Sequence, residues 1–373
     1  MSAPPAPIPH DPLATKLSTA DDRVRLSHWL PPQEGTVPRI RVGRRWINIL
    51  WVLPLGFTLG VIAVAVAQGL RELPAVQDFL VRYPGAPPTA PTVTAGFPAW
   101  LRIQHFLNFL FMAVSIRAGI QVLADHPRLY WKRDCTPGTE WFRFQKAVPT
   151  GRVWTAKDDS VTLPGWLGIP GTRHSIGLAR WWHYSFGLLW IVNGVVVYAL
   201  LFWSGQWVRL VPTTWEVFPN AASTALQYLS LTFPVEESWT RYNSLQQIAY
   251  FITVFVAAPV SIVTGFMQGP AISNKLGWFG RMLDRQRARS IHFLAMWWFL
   301  LFILVHVTLV FITGARANLN MMFAGVRDTS WSGFAIFIPA MALFAVAWWL
   351  ASPFTIRYAR LVHKIGEAQV SIR

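Results

Sequence analysis

The chain of 373 residues holds a single cysteine, Cys135, and few charges: 13% of its residues, against about a quarter in ordinary soluble domains. One thiol can build neither an internal disulfide framework nor the several-cysteine cage of an iron–sulfur cluster. No C-x-x-C-H segment occurs, which excludes covalently attached c-type haem. No G-x-G-x-x-G segment occurs either, which counts against a flavin or nicotinamide enzyme. Acidic residues are scarcer still, 17 Asp and Glu against 33 Lys and Arg, for a net charge of +16. A nucleic-acid partner is excluded because the basic residues lie between apolar runs instead of along one soluble face. Any metal or haem must therefore be held by histidine or oxygen ligands.

What the chain does have is apolar mass: 53% hydrophobic residues, with 21 Trp and 25 Phe. A helix needs about 20 mostly apolar residues to cross a bilayer. Six stretches qualify: 46–70, 100–123, 181–203, 246–267, 291–313 and 333–350. Several begin or end on Trp, as an interfacial aromatic belt would produce. The second is the most polar, carrying Arg102, Gln104, His105, Asn108 and Arg117. Such residues face protein or a cofactor, since lipid cannot satisfy them. Residues 1–45 are rich in Pro and Arg and lack the apolar core of a signal peptide. They are expected to form a disordered tail.

The connecting segments set the orientation. Alternate segments (1–45, 124–180, 269–290 and 353–373) carry 7, 9, 5 and 4 Lys or Arg, 25 in all. The intervening ones (71–99, 204–244 and 314–331) carry 2 each. The positive-inside rule then predicts both termini, and the long segment 124–180, in the cytoplasm.

Four of the nine histidines fall within spans: His105, His183, His292 and His306. His292 and His306 are fourteen residues apart on the fifth span. Fourteen residues fall about 40° short of four helical turns, so both side chains share a face, roughly 21 Å apart along the axis. One histidine then lies near each side of the bilayer, the arrangement that two stacked haems require. Depth supplies the partners. The third span starts on the same side as the fifth, with His183 in its first turn, level with His292. The second span starts on the opposite side, with His105 near that end, level with His306. Bis-imidazole ligation saturates an iron and favours electron transfer over oxygen binding.

Other residues near these positions suit haem. Gly187 and Gly194 follow His183 on one helical face and would admit a flat macrocycle; close helix approach would use them equally well. Arg102, Arg180 and Arg289 each stand three residues before a histidine. They could pair with propionates or anchor the helix at the interface. Arg117 is expected to snorkel toward the near face.

Arg102-x-x-His105, Arg180-Trp-Trp-His183-Tyr-Ser-Phe-Gly187 and Arg289-Ser-Ile-His292…His306 resemble the di-haem cytochrome b subunits of bacterial formate dehydrogenases and nickel–iron hydrogenases. The resemblance covers roughly residues 98–325. Val153-Trp154…Leu163-Pro-Gly-Trp166-Leu-Gly-Ile-Pro-Gly171 is similar to a thiosulfate-reductase-type branch. The resemblance implies a four-helix di-haem bundle; with the six apolar runs, the expected fold is an all-α polytopic membrane protein of six transmembrane helices, which departs from the family by extra spans at 46–70 and 333–350 and ends in a tail at 353–373. The resemblance implies His105, His183, His292 and His306 as axial ligands of two non-covalent b-type haems. It also implies a peripheral catalytic subunit, molybdopterin oxidoreductase or hydrogenase-like, and a menaquinone or ubiquinone substrate met near His105 and His306. The location expected is a bacterial plasma membrane, with lipid contact. In the formate dehydrogenase type the first haem-bearing helix starts in the cytoplasm; charge counting starts it outside here. A transporter or proton relay built on intramembrane His and Arg is the rival reading.

Overall fold

The computed structural model describes residues 37–86, 93–144, 159–161, 163–164, 166–168, 176–234, 238–269, 272 and 275–357. Residues 1–36, 153–158, 169–171 and 358–373 lie outside them, and with them most of the expected tails and part of the Val153–Gly171 motif.

Six helices are long and apolar enough to cross a membrane: Ile49–Arg71, Ala99–Asp125, Gly177–Trp203, Ser244–Met267, Arg285–Ile312 and Ser332–Ala351, termed spans 1 to 6. The fold is the all-α polytopic arrangement expected from the apolar runs. The end of the bundle that carries the described residues of 37–48, 126–144 and 275–284 is termed the basic face, and the other end the far face.

Spans 2 and 3 pack against each other along their length, as do spans 4 and 5. Polar pins cross the apolar interior. Trp190 donates to Asn108 at 2.6 Å, joining spans 3 and 2. Trp298 donates to Thr253 at 3.1 Å, joining spans 5 and 4. Span 4 widens into a π-helical segment over Ile252–Ala257, just before Pro259. In an i→i+5 pattern the donor for the Val254 carbonyl would be Pro259, which has no N–H. The Tyr198 hydroxyl of span 3 donates to that carbonyl instead, at 2.5 Å.

Span 6 lies against span 2, with Phe344 and Phe109 rings 4.8 Å apart. Arg117 does not snorkel. It is buried and donates to the carbonyls of Leu167 (2.9 Å), Gly168 (2.9 Å) and Trp348 (2.5 Å), with its guanidinium over the Trp348 ring. Three carbonyls and a ring face supply inside the protein what water would otherwise supply. Span 1 is peripheral, touching the far-face helix Val217–Leu229, where Arg71 donates to Ser230 at 3.0 Å.

The basic face also carries a small sheet that the sequence reading did not anticipate. Strands β1 (Arg39–Val42) and β2 (Arg45–Asn48) form a hairpin. β1 pairs antiparallel with β4 (Phe142–Arg143), and β4 with β3 (Arg128–Leu129), in the order β2-β1-β4-β3. The tail expected through residue 45 is thus paired strand from residue 39 onward. Long-range backbone pairing satisfies its amide groups where an isolated polar tail would leave them to water.

The sheet is pinned to the first turns of span 5. Trp141 donates to the Ser290 hydroxyl at 2.9 Å, and that hydroxyl donates to the Tyr130 carbonyl at 2.7 Å. The Phe142 and Phe293 rings lie 4.7 Å apart. Beneath them, Arg128 is clamped between Glu140 (3.0 Å) and Asp159, and Arg143 pairs with Glu140 at 3.0 Å. Arg143 also rests on the Trp46 ring, 3.9 Å from its centre. Burial opposes the charge of Arg128, but the Asp159 hydrogen bond and carboxylate raise its pKa above the ordinary arginine value. Burial, with the Glu140 carboxylate nearby, pushes the Tyr130 phenol up to about 12.

Candidate functional site

Spans 2, 3 and 5 carry the four histidines, and the structure brings them together in two pairs. The His183 and His292 ring centres are 6.1 Å apart near the basic face. The His105 and His306 centres are 6.2 Å apart near the far face. These are the pairs that depth alone predicts. Two imidazoles bonded at about 2.0 Å to opposite sides of one metal place their ring centres about 6 Å apart. Both pairs have that spacing.

The donor set points the same way. Among the described residues no group of three or more His, Cys, Asp or Glu gathers as a metal cage. A pair of imidazoles alone suits a macrocycle that brings its own four nitrogens. The residues present therefore fit haem better than a bare ion.

At the basic face, each imidazole is gripped through its Nδ1. His183 Nδ1 lies 2.8 Å from the Ser115 carbonyl oxygen and 3.4 Å from the Ser115 hydroxyl. His292 Nδ1 lies 3.0 Å from the Ser261 carbonyl oxygen and 3.1 Å from the Thr264 hydroxyl. A carbonyl oxygen only accepts, so each Nδ1 carries the proton and each Nε2 keeps its lone pair for a ligand. The Thr264 hydroxyl itself donates to the Val260 carbonyl at 2.6 Å, leaving its oxygen to accept from His292.

Both grips share a local sequence: Ser115-Ile-Arg-Ala-Gly119 on span 2 and Ser261-Ile-Val-Thr-Gly265 on span 4. In a helix the carbonyl of residue i points past residue i+4. A side chain there would cover it, and here that residue is glycine. A Cβ at Gly119 would stand 3.2 Å from His183 Cε1 and 3.3 Å from its Nδ1. At Gly265 the corresponding distances to His292 are 3.4 and 3.8 Å. Sequence reasoning named neither segment, although the repeated Ser-Ile-x-x-Gly was visible and could have led to them.

The far-face pair is held differently. His306 stacks on Phe302, centres 5.5 Å apart and planes 4° from parallel. Tyr250 of span 4 meets His306 edge-on at 6.0 Å, and Tyr242 continues that stack 4.9 Å from Tyr250. Arg209 lies over Tyr242 at 4.7 Å and donates to the Gly96 carbonyl at 3.0 Å. Between the pairs sits an apolar layer of Met112, Ala257 and Phe299, packed by Ile116, Trp190, Trp298 and Ile303.

The expected accessory residues have definite places. Arg102 donates to the Phe323 carbonyl at 3.0 Å, and its buried Nε meets no acceptor among the described residues. Its guanidinium rests on Gly325, whose φ of +73° and lack of a Cβ both admit it: a Cβ would fall 2.7 Å from Arg102 Cζ. Arg289 donates to the His126 carbonyl at 2.8 Å and to Gln286 at 3.2 Å, tying the start of span 5 to the end of span 2. Arg180 is exposed on the first turns of span 3. Gly187 and Gly194 touch no histidine. A Cβ at Gly187 would meet only the Ser115 hydroxyl, at 3.8 Å, and one at Gly194 nothing within 4 Å.

A family model described as prokaryotic cytochrome b561 matches residues 96–325. A chain of Azospira oryzae named "Putative protein-methionine-sulfoxide reductase subunit YedZ1" is 25% identical over 223 residues, covering 57% of this chain and 88% of that one. No solved structure matches.

Proposed function

From the premise that this chain belongs to the prokaryotic cytochrome b561 family, we propose that it is a two-haem electron-transfer subunit. Its partners would be a catalytic oxidoreductase subunit and membrane quinone. The observation that supports this reading is the pair of facing imidazoles at each end of span 5, both at bis-imidazole spacing. The bound haems would supply one-electron transfer; the chain supplies ligands, spacing and surroundings.

His183 and His292 would ligate one haem, and His105 and His306 the other. The carbonyls of Ser115 and Ser261 hold the first two imidazoles with Nε2 free to bind. Arg102, with its buried and unmet Nε, is the propionate partner proposed at the far face. Arg180 and Arg289 are its counterparts at the basic face. Gly187 and Gly194, where an added Cβ meets little, leave room for a flat ring beside span 3.

The name of the Azospira relative makes that protein a reductase subunit. By likeness, the partner proposed here is a catalytic oxidoreductase subunit, and the resemblance of Val153–Gly171 to the thiosulfate-reductase-type branch supports a molybdopterin type. The positive-inside count supports a basic face, and both termini, in the cytoplasm of a bacterial plasma membrane. Quinone would be met near His105 and His306.

The test is the purified chain itself. Reduced-minus-oxidised spectra should show b-type bands, and a pyridine-haemochrome assay should return two haems per chain. A chain without haem overturns the reading and leaves the proton-relay alternative.

A further inference from the structure

The Ser-Ile-x-x-Gly segments do more than seat two rings. We infer that Ser115–Gly119 and Ser261–Gly265 are positioning segments that tune the haem potential at the basic face, through the Nδ1 protons of His183 and His292. This rests on the two-haem reading above.

The chemistry is that of a ligand polarised from behind. An imidazole whose Nδ1–H is shared with a strong acceptor becomes more basic at Nε2. A more basic axial ligand favours the oxidised iron, so the midpoint potential falls. At the basic face both imidazoles are polarised: His183 by the Ser115 carbonyl at 2.8 Å, and His292 by the Ser261 carbonyl at 3.0 Å and the Thr264 oxygen at 3.1 Å. Among the described residues His105 and His306 make ring contacts, with each other, Tyr250 and Phe302, and no hydrogen bond from either nitrogen. The device therefore acts on one site of the two.

The carbonyls belong to helices whose own N–H groups also claim them, so an imidazole can share one only by coming close. Gly119 and Gly265 permit that approach; a Cβ at Gly119, 3.2 Å from the His183 ring, would force it outward by a few tenths of an ångström, whereas one at Gly265 would meet the His292 ring at ordinary contact, 3.4 Å. Thr264 adds a second acceptor on span 4 only, and its hydroxyl is committed as a donor to Val260. Span 2 has Ala118 at the matching position and relies on its carbonyl and the more distant Ser115 hydroxyl.

Redox titration of the purified chain, followed optically, tests this. Thr264→Val removes an acceptor without changing the shape of the side chain. It should raise the midpoint of one haem by the equivalent of a several-fold change in its reduction equilibrium; tenfold is about 59 mV for one electron. Thr264→Ser should restore the original value. Gly119→Ala, on a different span, should raise the midpoint of the same haem and leave the other unmoved. Haem content is measured on each variant first. Fewer than two haems in the unmodified chain would defeat the two-haem reading. Two haems whose midpoints stay put, fall, or shift together in these variants would defeat the inference alone.

Discussion

The two ends of the bundle bring two imidazoles to the same spacing by different means. At the basic face the imidazoles donate directed hydrogen bonds to backbone carbonyls of neighbouring helices, under a sheet locked by buried ion pairs. At the far face His306 is held by the plane of Phe302 and the edge of Tyr250. Directed bonds fix an atom and its proton; packing fixes a ring and leaves its nitrogens uncommitted. Geometry that looks equivalent by spacing is thus chemically unequal.

That contrast can be broken or sharpened by substitution. The largest effect expected is loss of a whole cofactor. His292→Ala and His306→Ala should each remove about one haem per chain in a pyridine-haemochrome assay, and the double variant both. If one single variant empties both sites, the ends are not independent and the comparison fails.

Next in size is the lock on the basic face. Glu140 is buried and holds both Arg128 and Arg143. Glu140→Gln leaves two buried cations short of a partner and should destabilise that end by about 3 kcal/mol. Thermal unfolding in detergent, with haem release followed separately at each site, should show the basic-face haem leaving first. Smallest is the loss of a packing contact. Phe302→Ala forfeits about 1 kcal/mol of aromatic pairing, so haem retention at the far face should weaken roughly fivefold. Dialysis against a haem acceptor measures it, and an equal effect on the basic-face haem would erase the distinction.

The six spans were legible because bilayer thickness demands long apolar runs that little else in a sequence produces. The histidine pairs were legible because alternating loop charge gives each span a direction, and direction gives each histidine a depth. The sheet was not. Its strands run two to four residues and join positions 39–48 to 142–143, with no alternating pattern to mark them. Arg117 misled because a charge near a helix end reads the same whether it reaches water or three carbonyls. Gly119 and Gly265 escaped notice because their meaning lies in a neighbouring helix: no local pattern says which ring will press against a bare carbonyl. Gly187 and Gly194, on the helix of His183 itself, drew attention instead.

The apolar layer halfway along span 5 has a consequence of its own. Met112, Phe299 and Ile303 have no polar side-chain hydrogen to pass on, and the indole N–H groups of Trp190 and Trp298 are spent on Asn108 and Thr253. Such a layer is a dielectric gap. An electron can tunnel through it, but a proton finds no relay among these side chains. Charge moved from one end to the other would be stored as on the plates of a capacitor, worth about 2.3 kcal/mol per electron for each 100 mV across the membrane.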